Sequence, residues 1–311
     1  LTEAINVSNL FLPKGKLITN TKSVIEKYNQ EYYTPKEPLD TEIPVAVLIN
    51  GRSASASEIV SGSLQDYDRA VVVGARSFGK GLVQRPKELT YGTQLKITIS
   101  RYYTPSGRCI QALDYWNRDD NGNAIRTNSE DYNEFKTSTG RKVYDGGGIL
   151  PDIQIESAGM SAITEALLRD QAIFDFATDY FYKHKYNDIS DFKFTNADYT
   201  AFKTYLDKQG FEYQTQTEKD LEEVYLDASK DNLQDDISSE YANLMRTIDV
   251  AKKEQLNRKE REISKLIIDE LVKRYFYREG LYEYQLSHNE EIEEAKKVLQ
   301  DPQRYAKILN R

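Results

Sequence analysis

An α/β core that gives way to a mostly α-helical C-terminal region is the fold predicted, and three observations predict it. Residues 43–49 (IPVAVLI) form an unbroken apolar run rich in β-branched side chains, the pattern of a strand buried on both faces of a sheet. Small or apolar residues then recur at Ala56, Ile59, Val60, Ser63, Leu64 and Tyr67, which is helix spacing, before a second apolar run at 70–73. After about residue 156 the strand signals cease, and helical periodicity with interleaved charge takes over.

In chain order, residues 3–11 predict a short helix, stopped by Pro13 and Gly15. Residues 16–21 and part of the tyrosine-rich stretch up to Tyr33 predict strands or a hairpin, and 35–38 a loop. Strand 43–49, helix 56–67 and strand 70–73 make a crossover unit within a mixed sheet. Further strands are expected at 82–85, at 94–103 with clear alternation, and at 153–155. Between them an exposed excursion over about 114–142 contains a tight-turn signal at 119–122. Residues 1–156 thus form the core and 157–311 a helical domain. In the latter, Ile163, Leu167, Phe174 and Phe181 mark one helix. Tyr199, Phe202 and Leu206 mark another, with Thr195 as N-cap and Gly210 at its end, and 235–277 gives one long helix or two in tandem.

Composition narrows the chemistry. With 39% hydrophobic and 30% charged residues, the 311-residue chain can bury a substantial core beneath a charged surface. A net charge of −8 disfavours nucleic acid as a partner, because phosphate binding wants a basic face. One cysteine, Cys109, excludes an internal disulfide framework and a thiolate metal site. The two histidines, His184 and His288, stand far from the organising stretch, so a Ser–His–Asp triad and a His-based zinc site are poorly supplied. No run of about 18 apolar residues is present to span a membrane. The opening on Leu1 suggests a processed or truncated piece.

The chemistry concentrates in residues 50–84. Ser55 follows a predicted strand and opens a predicted helix, where unpaired backbone N–H groups can hold a developing oxyanion. The spacing Ser55-x-x-Glu58 is equally that of a capping box, a purely structural reading. Lys80 lies between Gly79 and Gly81; if buried, it can lose its proton and serve as a base for serine, and otherwise it is a solvated loop lysine. Residues 74–80 also match a phosphate-binding G-x-x-x-x-G-K loop. Gly81 stands where Ser or Thr should reach magnesium, and the residues that follow read as strand, so that reading fails twice. Gln84, four residues beyond Lys80, shares its side of a strand and can orient the amine.

These residues carry a resemblance. The segments NxRSASASE, QDYxRAVVVG, SFGKGxVQ, RYYTPSGRxIQ and GGIxPD, in this order over about residues 1–155, resemble the carboxy-terminal processing (tail-specific) serine peptidases of family S41. The resemblance implies that Ser55 is the nucleophile, Lys80 the general base, Gln84 its orienting partner and the amide of Ala56 part of the oxyanion hole. Ser53 is then a neighbour, and Ser57 and Glu58 serve the helix start. It implies an endopeptidase that cleaves protein substrates near their C-termini, with no metal or cofactor, in the periplasm or cell envelope. Against that family's pattern, the PDZ domain and the upstream glycine-rich turn are expected to precede Leu1. The helical region is left to pack on the core, self-associate or bind an adaptor. A non-catalytic peptide-binding or scaffold protein that keeps the fold is the alternative, with a nucleotide-binding protein behind it.

Overall fold

The computed structural model describes residues 1–120, 122–155 and 160–311, and the chain divides into two compact units. One comprises Leu1–Ser157 together with Asn289–Arg311, and the other Ala158–His288. The expected boundary at 156–157 lies outside the described residues, as does Asn121 within the turn expected at 119–122.

The first unit opens with α1 (Thr2–Asn9), β1 (Leu17–Lys22) and β2 (Gln30–Tyr33), followed by β3 (Ala46–Ile49), α2 (Ala56–Asp66) and β4 (Val71–Gly74). Next come β5 (Leu82–Glu88), β6 (Gln94–Tyr103), β7 (Leu113–Arg118) and β8 (Ala124–Arg126), then β9 (Glu134–Lys136), β10 (Lys142–Tyr144) and β11 (Ile153–Gln154). Parallel and antiparallel pairing are both present but lie in separate sheets. The parallel sheet has the order β11-β4-β3, and a four-stranded antiparallel sheet has the order β2-β1-β6-β5. The excursion folds into two small hairpins, β7–β8 and β9–β10, the first carrying Trp116 at 92% exposure.

Being buried on both faces belongs to β4, not to β3 as the apolar run 43–49 predicts. All four residues of β4 are buried, whereas β3 is the edge of its sheet and Leu48 is 42% exposed. Side chains alternate along β4, so Val72 packs with Ile49, Ile110 and Ile149, while Val71 and Val73 meet another layer. That layer is α10 (Glu290–Leu299) and α11 (Pro302–Ile308), which bring Ala295, Val298 and Leu309 onto the sheet. The Tyr305 hydroxyl donates to the carbonyls of Val45 and Arg69. The helical region expected at 157–311 therefore divides, with 289–311 covering the core. Each aliphatic side chain fully buried there contributes about 1.5–3 kcal/mol.

The second unit holds α3 (Ala162–Arg169), α4 (Ala172–Lys183), α5 (Asn196–Gln209), α6 (Gln216–Lys230), α7 (Gln234–Lys253), the short α8 (Gln255–Arg258) and α9 (Glu260–His288). Its core is built on Leu167, Phe176, Phe202, Ile263, Ile267 and Leu271. Phe174 and Phe181 do not share one helix with Ile163, because Gln171 adopts φ +58° and breaks the chain between α3 and α4; Phe174 is 54% exposed. Thr195 caps α5 and Gly210 ends it with φ +64°, both as expected. The segment 235–277 is three helical pieces, and α6 was not anticipated. Among the described residues, no helix is long and apolar enough to cross a membrane.

Candidate active site

Between β3 and α2 the chain turns on Asn50 and Ser53, whose backbone and side chain close the loop: Ser53 N–H donates to the Asn50 carbonyl at 2.8 Å, and Asn50 N–H to Ser53 Oγ at 3.1 Å. Ser53 is thus occupied by the turn. Ser55 follows at φ +56°, ψ −111°, a conformation L-residues with a Cβ rarely adopt. Holding a non-glycine residue there costs on the order of 1–3 kcal/mol and persists only where neighbours over-determine it. Among the described residues, the next amide, that of Ala56, has no acceptor, as expected in the first turn of a helix.

Glu58 does the over-determining. Its side chain is fully buried at the start of α2, and its carboxylate accepts four hydrogen bonds. Oε2 takes the N–H of Ser55 at 2.8 Å and of Lys80 at 2.9 Å. Oε1 takes the N–H of Gly79 at 2.6 Å and the hydroxyl of Ser77 at 2.5 Å. Two amides on one oxygen lie within about 6 Å of each other, so this carboxylate joins the main chain at 55 to that at 80. Glu58 supplies its half of the capping box to the Ser55 amide, while its own N–H goes to the Ser55 carbonyl at 2.9 Å, and its carboxylate reaches well past the helix it caps.

The opposite side of the lysine loop is held by residues 110–112 and 149. Gly81 N–H donates to Gln111 Oε1 at 2.7 Å, and Ala112 N–H to the Gly79 carbonyl at 3.0 Å. Ser77 Oγ, while donating to Glu58, accepts from Ile149 N–H at 2.6 Å. This close approach explains the flanking glycines. Gly79 has φ +85°, and a Cβ there would lie 2.3 Å from that of Ala112; at Gly81 it would lie 2.8 Å from the amide nitrogen of Gln111.

Of the residues singled out from sequence, Ser55, Ala56 and Lys80 come together at this frame through their main chain. The side chain of Lys80 is exposed, with no hydrogen bond or ion pair among the described residues. Among the described residues no hydrogen bond joins Gln84 to Lys80. Gln84 is exposed on β5, and its amide donates to Thr98 Oγ1 at 3.2 Å. The even-spacing argument loses its premise because β5 begins only at Leu82, which leaves Lys80 outside the strand. Residues 74–80 run from β4 into β5 with no helix, so the phosphate-loop reading has no helix N-terminus. Glu58, Ser77 and Gln111 went unrecognised as a frame. Their only trace in the sequence is that they sit inside the same ordered segments as Ser55 and Lys80.

The other end of α2 is fixed by charge. Arg108, fully buried, donates to Asp66 Oδ1 at 2.8 Å and Gln65 Oε1 at 2.7 Å. Arg141 bridges Asp68 at 2.6 Å and Asp152 at 2.5 Å. Burial opposes the charge of Arg141, but Asp152 and Asp68 outweigh it and raise its pKa above the usual value. Asp152 Oδ2 also accepts from Val72 N–H at 2.8 Å, tying β11 to β4. Among the described residues, no group of three or more His, Cys, Asp or Glu is placed to hold a metal ion.

Comparison with known proteins matches both parts of the chain. Residues 1–115 match the model of Peptidase family S41, and residues 163–299 that described as "Probable PDZ-protease, C-terminal helical domain". A carboxy-terminal-processing protease of Bartonella bacilliformis is 44% identical over 113 residues, 36% of this chain and 26% of that protein. The carboxyl-terminal-processing protease of Synechocystis is 38% identical over 113 residues, with the same coverage of 36% and 26%. A probable CtpA-like serine protease of Staphylococcus aureus is 27% identical over 252 residues, 79% of this chain and 45% of that protein. Among solved structures, the photosystem II D1 C-terminal processing protease is 25% identical over 50% of this chain and 31% of its own, with a TM-score of 0.36. The chain spans less than half the length of these relatives. Over residues 1–115 the chain is thus similar to peptidase family S41, and over residues 163–299 to the C-terminal helical domain described for PDZ-proteases.

Proposed function

We propose that this chain supplies the nucleophile and base of a serine endopeptidase that cleaves protein substrates near their C-termini. Ser55 Oγ attacks the scissile carbonyl, Lys80 accepts the proton and returns it to the leaving amine, and the Ala56 amide binds the oxyanion. The observation that carries the reading is the backbone of Ser55. A non-glycine residue held at φ +56° at the head of a helix, next to an amide without an acceptor, is what a nucleophile at a strand-to-helix turn requires. The names of the relatives support the substrate class. Gln84 orients Lys80 in this reading only by leaving Thr98 Oγ1, an exchange its exposed position leaves open.

One observation favours a second reading. A Ser/Lys pair works by desolvating the amine, and the Lys80 side chain is exposed in this arrangement. A peptide-binding protein that keeps the fold without turnover fits that exposure. Cleavage of a labelled protein tail by wild type, Ser55→Ala and Lys80→Ala separates the two. Both variants losing at least about a hundredfold supports the peptidase, since a positioned base contributes roughly 10²–10⁴-fold. Wild-type turnover in either variant removes the proposed mechanism.

A further inference from the structure

Charge is unevenly placed along this chain. Residues 216–243, which take in α6 and the first half of α7, hold nine carboxylates and two lysines, a net charge of −7 against −8 for the whole chain. The same segment exposes apolar side chains. None of the 20 residues of α7 is buried, and α6 buries only Glu218 and Ala228. Val224, Leu233 and Leu244 are 59%, 49% and 45% exposed. On α7, Leu233, Ile237 and Leu244 fall on one stripe with Glu240 among them, the spacing of a helix face made to pack against another helix.

An open groove of about 170 Å³ lies between the two helices, walled by Leu221, Val224, Tyr225, Ile237, Tyr241 and Leu244. It is formed in advance of any occupant, because α6 and α7 are fastened to each other. The Tyr225 and Tyr241 rings stack with their centres 4.1 Å apart, and Lys252 Nζ donates to Glu218 Oε1 at 2.7 Å. Acid rims the groove. Glu240 is itself a lining residue and Asp236 lies one helical turn before it, while Asp220 and Asp227 lie one turn to either side of Val224. Asp227 pairs with Lys230 at 2.6 Å, but Asp220, Asp236 and Glu240 form no ion pair among the described residues.

We infer that this groove docks a basic amphipathic helix of a partner protein, its apolar stripe between α6 and α7 and its lysines or arginines over the acidic rim. Charge decides the occupant. A second copy offering the same face sets two segments of net charge −7 against each other, and an anionic bilayer is repelled in the same way. A cationic helix instead covers the exposed apolar side chains and meets the unpaired carboxylates, which select the partner and speed its approach. The docking surface stands on α6 and α7 alone and does not depend on the chemistry of Ser55 and Lys80.

The test uses the whole chain and a labelled synthetic peptide of about 14 residues, about four helical turns, with leucines at i, i+3, i+4 and i+7 spacing and lysines elsewhere. Fluorescence anisotropy follows its binding beside two controls, one of the same composition with the spacing scrambled and one with glutamate for lysine. The patterned lysine peptide binds saturably, and each control binds at least about tenfold more weakly. Val224→Ser with Leu244→Ser, both at exposed positions, weakens the lysine peptide at least about tenfold while far-UV circular dichroism is unchanged. Asp236→Asn with Glu240→Gln also weakens it and flattens the dependence on salt. Absence of saturable binding overturns the assignment, as does an affinity that the serine substitutions leave unchanged. A scrambled peptide that binds as tightly as the patterned one marks general attraction to an acidic surface, and also overturns it. So does a dimer in sedimentation velocity that the serine substitutions disperse, which gives the groove to a second copy.

Discussion

Replacing Glu58 by glutamine tests whether one buried carboxylate holds the serine and lysine segments in place. The substitution preserves shape and leaves one carbonyl oxygen. If that oxygen keeps Ser77 and Gly79, the new NH2 group confronts the N–H groups of Ser55 and Lys80, leaving two donors without an acceptor. Each unsatisfied buried donor costs about 1–3 kcal/mol, and these two bonds are only part-buried, so the lower range applies. A destabilisation of about 2–4 kcal/mol for the first unit follows. Because the two units need not unfold together, the readout is amide hydrogen exchange in β4, whose residues are all buried. Protection there falls roughly thirty- to several-hundredfold at 1.4 kcal/mol per decade, and the amides of 55 and 80 lose protection further still. A change below about threefold at both places refutes the idea that Glu58 organises the site.

Other consequences are independent of that one. Gly79→Ala forces a Cβ into the side chain of Ala112 at a positive φ and destabilises the first unit by at least about 2 kcal/mol, read by urea titration. Arg108→Met leaves Asp66 buried without its partner and costs about 3–5 kcal/mol; Arg108→Met with Asp66→Leu recovers much of it. In the second unit, burial pushes the Glu218 carboxyl up, but the bonds from Lys252 and Thr215 outweigh it and hold its pKa below the ordinary 4.5. A folded pKa below the unfolded one stabilises above about pH 4.5 and is lost as pH falls through the folded value. Urea midpoints of wild type and Lys252→Met therefore differ near pH 7 and converge towards pH 3.

Much of the fold was legible because α2 and β4 carry their burial in their own pattern. The apolar run at 43–49 misled for a physical reason: an edge strand needs hydrophobic residues against its one neighbour, and periodicity cannot tell that from burial on both faces. The return of 289–311 to the sheet was hidden because a helix that covers a sheet and a helix in a bundle show the same apolar stripe. The break at Gln171 carries no glycine or proline to announce it. Within the site, Ser55 and Lys80 were found through the order of their segments. Glu58 was seen only as a cap, since sequence spacing reports bonds within a helix and is silent on the three that Glu58 accepts from residues 77–80.

The account stands on Ser55 being a nucleophile whose reactivity depends on Lys80. The most direct measurement is labelling with a fluorophosphonate probe, mapped to the residue by mass spectrometry, in wild type and in Lys80→Ala. The account predicts modification at Ser55, lost in the lysine variant. Modification at Ser53 or Ser57 instead, none at all, or labelling of Ser55 that proceeds equally without Lys80 contradicts it.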